Sequence, residues 1–309
     1  MKLPVEFLTR LDKILPENVK QSVLESFDRP GAVSFRINTL RSNALEIQEI
    51  FKEKEISFQE CSWDKTALIV AASCRESLAA LTTDGKIYQQ SLSSLLPVIV
   101  LDPQPEELVL DLCAAPGSKT SQIAARMKNT GEIIAVEAVR NRFYKLKSVL
   151  ELLGVANVRI KVMDGREYHP RDILFDRVLV DAPCSTEARF KTFEPDSYAY
   201  WSARKIKEMA HKQKGLLLNA CRLLRPDAVL VYATCTFAPE ENEEVVDWLL
   251  KKMPPMRVEP VHITSVKSYP AVMEWEGDSF NPQVKNCFRV LPTDLMEGFF
   301  MAKLRKEIN

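Results

Sequence analysis

The rhythm of hydrophobic and polar positions changes near residue 85. Before it, apolar residues three and four apart predict short helices over Val5–Leu15 and Val19–Phe27. A strand at Val33–Asn38, a helix at Ala44–Glu53 and strands at Ser57–Cys61 and Ala67–Ala71 complete a small α+β pattern. After it, apolar runs alternate with amphipathic stretches: LVLDL, a loop and helix to Met127, EIIAVEA, a helix to Leu153, NVRIKVMD, FDRVLVDA and AVLVYAT. Alternation of this kind predicts an α/β fold, in which a parallel sheet carries helices on both faces and a ligand lies at the carboxyl ends of the strands. Further helices are predicted at Ile206–Leu224 and around Val245–Leu250, and RVLPTDLMEGFFMAKLRK reads as a closing hairpin whose last strand completes the sheet. The chain thus divides into an accessory region, residues 1–84, and a larger domain, residues 85–309. The accessory rhythm would suit an RNA-recognition sheet, but SFRINTL lacks the aromatic platform that stacks bases, so a structural extension is the simpler reading.

Composition narrows the class without naming a chemistry. Hydrophobic residues make up 46% and charged residues 27% of 309 positions, which is ordinary for a globular protein. No apolar run approaches the roughly 18 residues of a membrane span, and the N-terminal MKLPVEFLTRLDKIL has the scattered charges of an amphipathic helix rather than of an export signal. Seven cysteines without a close C-x-x-C pair fit neither a disulfide framework nor a zinc site. Reduced thiols in the cytoplasm, no metal and a monomer are the expectations. Net charge is zero, yet residues 119–225 hold 21 Lys and Arg against 12 Asp and Glu, so a polyanion would dock mid-chain.

Polar residues gather at the strand ends, where a ligand is expected: Asp111, Glu137, Asp164, Asp181 and Cys235. The first turn, DLCAAPGSKT, offers small residues that let backbone approach a ligand before a helix begins, although it is not the G-x-G-x-x-G of a dinucleotide site. Glu137 stands where a carboxylate can bind both ribose hydroxyls of an adenosine, and Asp164 where one can accept from an adenine amine or else cap the next turn. Two cysteines follow strands, Cys184 in VDAPCS and Cys235 in YATCTF. Carbon 5 of cytosine is too weak a nucleophile to take a methyl group unaided. A thiolate adding to carbon 6 turns the ring into an enamine that can, after which a second group helps remove the carbon 5 proton. Methylation of an exocyclic amine needs no such adduct, so paired cysteines favour carbon as the target.

The strings YQQSLSSLLP, DLCAAPGSKT, VDAPCS, YATCTF followed by PEENEEVV, and the closing RVLP with GFFMAKLRK occur in an order that resembles the Nop/Sun (Fmu-like) family of RNA cytosine-5 methyltransferases. The likeness runs from about Tyr88 to the end, and FRINTL is similar more loosely to the family's accessory region. It implies a Rossmann-like class I methyltransferase fold with a mostly parallel seven-stranded sheet, S-adenosyl-L-methionine as cofactor and RNA as partner. Carried over by position, it implies that Cys113, Ala114, Ala115, Pro116, Gly117, Ser118 and Lys119 form the cofactor loop. Glu137 then holds the ribose, Arg142 belongs to the cofactor site, Asp164 lies on the adenine side, and Asp181 sits between methyl donor and base. The residues alone leave the order of the two thiols open, since in DNA cytosine-5 methyltransferases the cysteine after a proline attacks. The resemblance, through PEENEEVV after the TC segment, makes Cys235 the nucleophile and Cys184 the residue that resolves the product.

Two departures from the family's pattern stand out. Ser118 replaces a second glycine, a mild change for a small residue able to cap a helix. Thr186, Glu187, Ala188 and Arg189 replace small glycine-rich residues, so TEARFKTFEP is expected to bring charge and aromatic bulk beside the base pocket. Tyr198, Tyr200 and Trp201, near Arg204 and Lys205, either stack nucleotides or cover a helix end. The reading is methyl transfer to cytosine in ribosomal RNA, through a flipped base. The same chemistry on tRNA is the near alternative. A non-catalytic RNA-binding assembly factor is the distant one, against which the presence of Cys184, Asp181 and Cys235 together speaks.

Overall fold

Two sheets organise the chain, described for residues 3–30 and 32–308 in a computed structural model. The chain runs α1 (Val5–Ile14), α2 (Glu17–Phe27), β1 (Val33–Ile37), α3 (Ala44–Glu53), β2 (Phe58–Cys61), β3 (Asp64–Val70), α4 (Ala79–Thr83) and β4 (Ile87–Gln89). It continues through α5 (Leu92–Leu101), β5 (Leu108–Asp111), α6 (Ser118–Arg126), β6 (Glu132–Glu137), α7 (Arg140–Leu152), β7 (Val158–Val162) and β8 (Phe175–Asp181). Then come α8 (Ala203–Leu223), β9 (Leu224–Thr234), α9 (Glu243–Lys252), β10 (Met256–Glu259), the short pair β11 (Glu274–Trp275) and β12 (Asp278–Ser279), β13 (Phe288–Val290) and β14 (Phe299–Lys306).

The large sheet has the order β10-β14-β9-β8-β5-β6-β7, with β13 paired to β14 as an eighth strand. The five strands β7, β6, β5, β8 and β9 are mutually parallel, and β14 lies antiparallel to β9. The Rossmann-like, mostly parallel architecture is therefore as expected, and the closing hairpin is β13–β14, Phe288–Val290 against Phe299–Met301. Strand β10 on the far edge alternates apolar and polar residues over only four positions, too few to stand out in the sequence. Alternate residues of the strands feed separate cores. Leu110, Val178, Leu230 and Tyr232 face the core covered by α8 and α9, while Val109, Leu179, Val229 and Val231 face the core under α5 and α6. Helix α8 matches its side through Ile206, Met209, Ala210, Gln213, Leu217 and Ala220, the three-and-four spacing of one buried face. Ser202 caps it by accepting from the Lys205 N–H at 3.1 Å.

The smaller sheet is antiparallel, with order β2-β3-β1-β4. Its fourth strand, Ile87–Gln89, begins just beyond the change of rhythm at residue 85, because three residues are too few to announce a strand. Helices α1 and α2 do not cover this sheet. Phe7, Leu11 and Phe27 join the large sheet's core, where Phe7 meets Phe190 at 4.9 Å and Trp201 at 5.8 Å between ring centroids. Helix α5, LSSLLPVIVL, is apolar nearly all round and almost wholly buried, which is why no amphipathic period marks it in the sequence. Asn38 pins the two parts together by donating to the Gly85 carbonyl at 2.7 Å and the Leu153 carbonyl at 2.9 Å.

Candidate active site

Because β5 to β9 run parallel, their carboxyl ends open on one edge, and a cavity of about 630 Å³ lies there. Cys113, Ala115, Pro116, Ser118, Lys119, Glu137, Arg142, Asp164, Asp181, Cys184 and Cys235 all line it. Ala114 and Gly117 do not: Ala114 packs into the core with its N–H on the Val136 carbonyl at 3.0 Å, and Gly117 shapes the turn. Gly117 has φ of 109°, where a Cβ would also stand 3.1 Å from Leu146 and 3.2 Å from Val149. Only glycine meets both demands.

Glu137 is buried at the end of β6, and its carboxylate organises the loop opposite. One oxygen accepts from the Val139 N–H at 2.8 Å; the other accepts from the Ala115 N–H at 3.3 Å and lies 3.6 Å from Arg142. Arg142 also donates to the Ala115 carbonyl at 2.7 Å, so it braces the loop as well as facing the cavity. Asp164 lines the cavity with its carboxylate clasped by Arg166, including a 2.6 Å contact, and caps the turn after β7 through the Arg166 N–H. That pairing holds its carboxyl below the ordinary value. Asp111 stays behind the wall, accepting from Thr120 at 2.7 Å, and burial pushes it up to about 6. Small backbone, the Glu137 and Asp164 carboxylates at the wall and the apolar Leu112, Pro116, Val139 and Leu216 form a lining suited to a nucleoside.

The other end of the cavity is cationic and thiol-rich. Lys119, assigned to the cofactor loop, reaches past it: its buried ammonium lies 2.6 Å from Asp181, 3.1 Å from Ser94 and 5.7 Å from the centre of the Phe299 ring. Cys184 Sγ and Cys235 Sγ are 3.3 Å apart, and the Cys235 N–H also points at Cys184 Sγ at 3.4 Å. Cys235 is pulled down to about 7, first by the hydrogen bond from Cys184 and then by the Arg189 guanidinium, against the opposing effect of burial. Cys184 is driven up by the same hydrogen bond and by burial, so it is the thiol that donates and Cys235 the sulfur that holds the charge. The nearby Arg189 guanidinium favours the charge on Cys235 in a pair whose separation alone is symmetric.

Arg189 is the charge that the TEARF departure is expected to bring beside the base pocket, although the sequence assigns it no role. Of the TEARF departure, only the arginine and Thr186 line the cavity. Phe190 is fully buried among Phe7, Phe27, Tyr198 and Trp201, so the expected aromatic bulk turns into the core. Trp201 donates to Glu187 at 2.9 Å, and both Trp201 and Tyr198 cover that core, which leaves Tyr200 as the exposed ring of the three. Tyr88, Gln89, Gln90, Ser91 and Ser94 form a further wall from the YQQSLSS string. Their signal was the string itself, with nothing in its spacing to assign a role. Replacing Arg189 by methionine is expected to raise the Cys235 midpoint and slow its alkylation by iodoacetamide at pH 7 by up to about tenfold, read from rate against pH. An unchanged midpoint would remove Arg189 from the account.

A sheet with five parallel strands, a nucleoside-sized cavity at their ends and paired thiols inside it define an enzyme of the methyltransferase class. The chain belongs to the family described as 16S rRNA methyltransferase RsmB/F, which it matches over residues 98–305. It is 40% identical over 282 residues to the tRNA (cytosine(49)-C(5))-methyltransferase of Pyrococcus abyssi, covering 90% of this chain and 89% of that protein. Ribosomal RNA small subunit methyltransferase F of Escherichia coli O127:H6 is 34% identical over 313 residues, 98% of this chain but 63% of that protein. Among solved structures, one titled Crystal Structure of PH0851 superposes with a TM-score of 0.85 at 30% identity, covering 97% of this chain and 65% of that one. The chain therefore spans the archaeal relative almost fully and under two thirds of the bacterial one.

Proposed function

We propose that the protein transfers a methyl group from S-adenosyl-L-methionine to carbon 5 of a cytosine in RNA, with Cys235 as nucleophile. The observation that carries this is the 3.3 Å pair of unlike thiols in the same cavity as Glu137. Glu137 would take the ribose, the Cys113–Lys119 loop with Arg142 would hold the amino-acid side, and Asp164 would lie towards the adenine. When bound there, the cofactor supplies an electrophilic methyl group. The chain's own residues prepare the acceptor. Cys235 adds as thiolate to carbon 6, Asp181 accepts from the exocyclic amine, and the ammonium of Lys119 offsets the charge that builds on the ring. Once the Cys235 sulfur is in a carbon–sulfur bond, its negative charge no longer holds the proton on Cys184. Cys184 can then release its proton to solvent in the cavity and, as thiolate, take the carbon 5 proton, after which elimination frees Cys235 as thiolate and restores the starting pair.

Ribosomal RNA is the first reading, supported by the family description. The tRNA reading has its own support in the length-matched archaeal relative. The protein would act as a reduced cytoplasmic monomer, with residues 1–84 as accessory region to a catalytic domain of residues 85–309. Among the described residues no helix is long and apolar enough to cross a membrane, and no group of side chains could hold a metal ion. Incubation with methyl-labelled S-adenosyl-L-methionine and separated ribosomal and transfer RNA tests the proposal. Label is expected in 5-methylcytosine of one pool; label only on exocyclic nitrogen, or none in either pool, would overturn it.

A further inference from the structure

Behind the two cysteines lies a file of four buried oxygens: Glu241 Oε1, Ser185 Oγ, Thr236 Oγ1 and Glu187 Oε2. Ser185 follows Cys184 in the chain and Thr236 follows Cys235. Glu241 and Ser185 are in close contact, and Ser185 to Thr236 and Thr236 to Glu187 are each 2.8 Å. Three contacts need three protons, but the two hydroxyls bring only two. With both carboxyls ionised, one pair of oxygens would face each other with nothing between them, in a place water does not reach.

The remaining donors show where the third proton belongs. Glu187 is surrounded as an ionised carboxylate would be: it accepts from Trp201 Nε1–H at 2.9 Å, from the Phe237 N–H at 3.0 Å and from Thr236. Glu241 has its donors on one oxygen, Oε2, where the Ser185 N–H arrives at 3.0 Å and Gln213 Nε2–H at 2.9 Å. Its other oxygen meets only the serine, whose hydroxyl is needed for Thr236 and whose N–H lies farther off at 3.3 Å. The same Gln213 amide reaches the Pro183 carbonyl at 2.8 Å, and the Tyr232 hydroxyl donates to the Glu241 carbonyl at 2.5 Å. The motif's other acids are matched elsewhere, Glu240 to Arg10, Glu243 to Arg289 and Glu244 to Lys214. Among the described residues no cation pairs with the Glu241 carboxyl. Its charged and titratable neighbours are Glu187, Tyr232 and Cys184.

We propose that Glu241 is a positioning residue for the methyl transfer: as a protonated carboxyl it donates to Ser185, which donates to Thr236, which donates to Glu187, and this one-way chain locks the two cysteine loops together. The inference rests on the paired-thiol reading above. Burial, with the Glu187 charge adding to it, pushes Glu241 up to about 8, so the proton is present at neutral pH and lost just above it. Losing it leaves two buried negative charges and one contact without a proton, and the loops separate. The folded state holds a proton that the unfolded chain releases near 4.5. This contribution to stability is therefore complete below that value and disappears as pH rises through about 8.

Glutamine at position 241 supplies the missing N–H permanently, with its oxygen placed for Ser185 N–H and Gln213. In the full-length wild-type protein, methyl transfer should rise with pH as Cys235 ionises and then fall about tenfold per pH unit above the Glu241 value. Glu241→Gln should keep the rise and lose the fall, while Glu241→Ala should be impaired at every pH. Denaturant unfolding, which needs no methyl transfer, should weaken for wild type between pH 5 and 8 and show a flatter profile for Glu241→Gln. A wild-type alkaline fall retained in Glu241→Gln, or parallel unfolding profiles, would overturn the inference; absence of methyl transfer with divergent unfolding profiles would instead count against the paired-thiol chemistry alone.

Discussion

Cys235→Ala is expected to abolish methyl transfer, by at least about ten-thousand-fold, and to leave no covalent protein–RNA species, whereas Cys184→Ala is expected to accumulate one. The asymmetry follows from the thiol pair. Cys235 carries the charge because Cys184 donates to it and Arg189 lies nearby, so removing Cys235 removes the attacking sulfur itself. Removing Cys184 costs Cys235 one stabilising donor but leaves Arg189, so attack proceeds and methylation of the ring follows. What is lost is the base for the carbon 5 proton, a contribution of about 10²- to 10⁴-fold, and the adduct outlives the assay. A denaturing gel with labelled RNA reads both variants. Adduct with Cys235→Ala and none with Cys184→Ala would reverse the assignment.

Asp181→Ala is expected to slow the chemical step by about 10²- to 10³-fold, the size of effect found when one preorganised group facing a charged transition state is removed. The aspartate does two things at once. It lines the cavity from the end of β8, and at 2.6 Å it pairs with the buried ammonium of Lys119. Deleting it leaves that ammonium with Ser94 as its near polar neighbour, in a setting where an unpaired charge is costly. Lys119→Met should harm the chemical step comparably, and the double variant should be less impaired than the product of the two, since each single change strands the partner. Single-turnover rates at saturating RNA and cofactor check this. Additive losses would mean that the pair does not act as a unit.

The sequence made the sheet legible because its strands are short apolar runs that alternate with amphipathic helices. It made the positions of Glu137, Asp164, Asp181 and Cys235 legible for the same reason, since a parallel sheet gathers its strand ends on one edge. Direction was harder to read. Phe190 lies next to Arg189 in sequence and points the opposite way, into the core of α1 and α2, because the turn after Cys184 follows a short 3₁₀ path that no periodicity announces. Lys119 belongs to the loop by position, yet its long side chain spans to Asp181. Asp164 caps the turn, the second of its sequence readings, and lines the cavity while doing so. The link between Ser185, Thr236, Glu187 and Glu241 joins residues 49 to 56 apart, and only the packed fold brings them within hydrogen-bond distance. The unequal acidities of the two thiols likewise depend first on the hydrogen bond between them and then on Arg189, a residue whose departure from the family pattern is visible in the sequence but whose orientation is not.

In the proposed reaction the sulfur of Cys235 bonds to carbon 6 of the target base. RNA in which cytosine is replaced by 5-fluorocytosine tests it on the unaltered protein, because the ring can be attacked and methylated but has no carbon 5 proton to release. After nuclease and protease digestion, mass spectrometry should find a methylated fluorocytidine nucleotide on the peptide containing Cys235. The same nucleotide on the peptide containing Cys184, or no covalent species while unmodified RNA is methylated at full rate, would contradict the account.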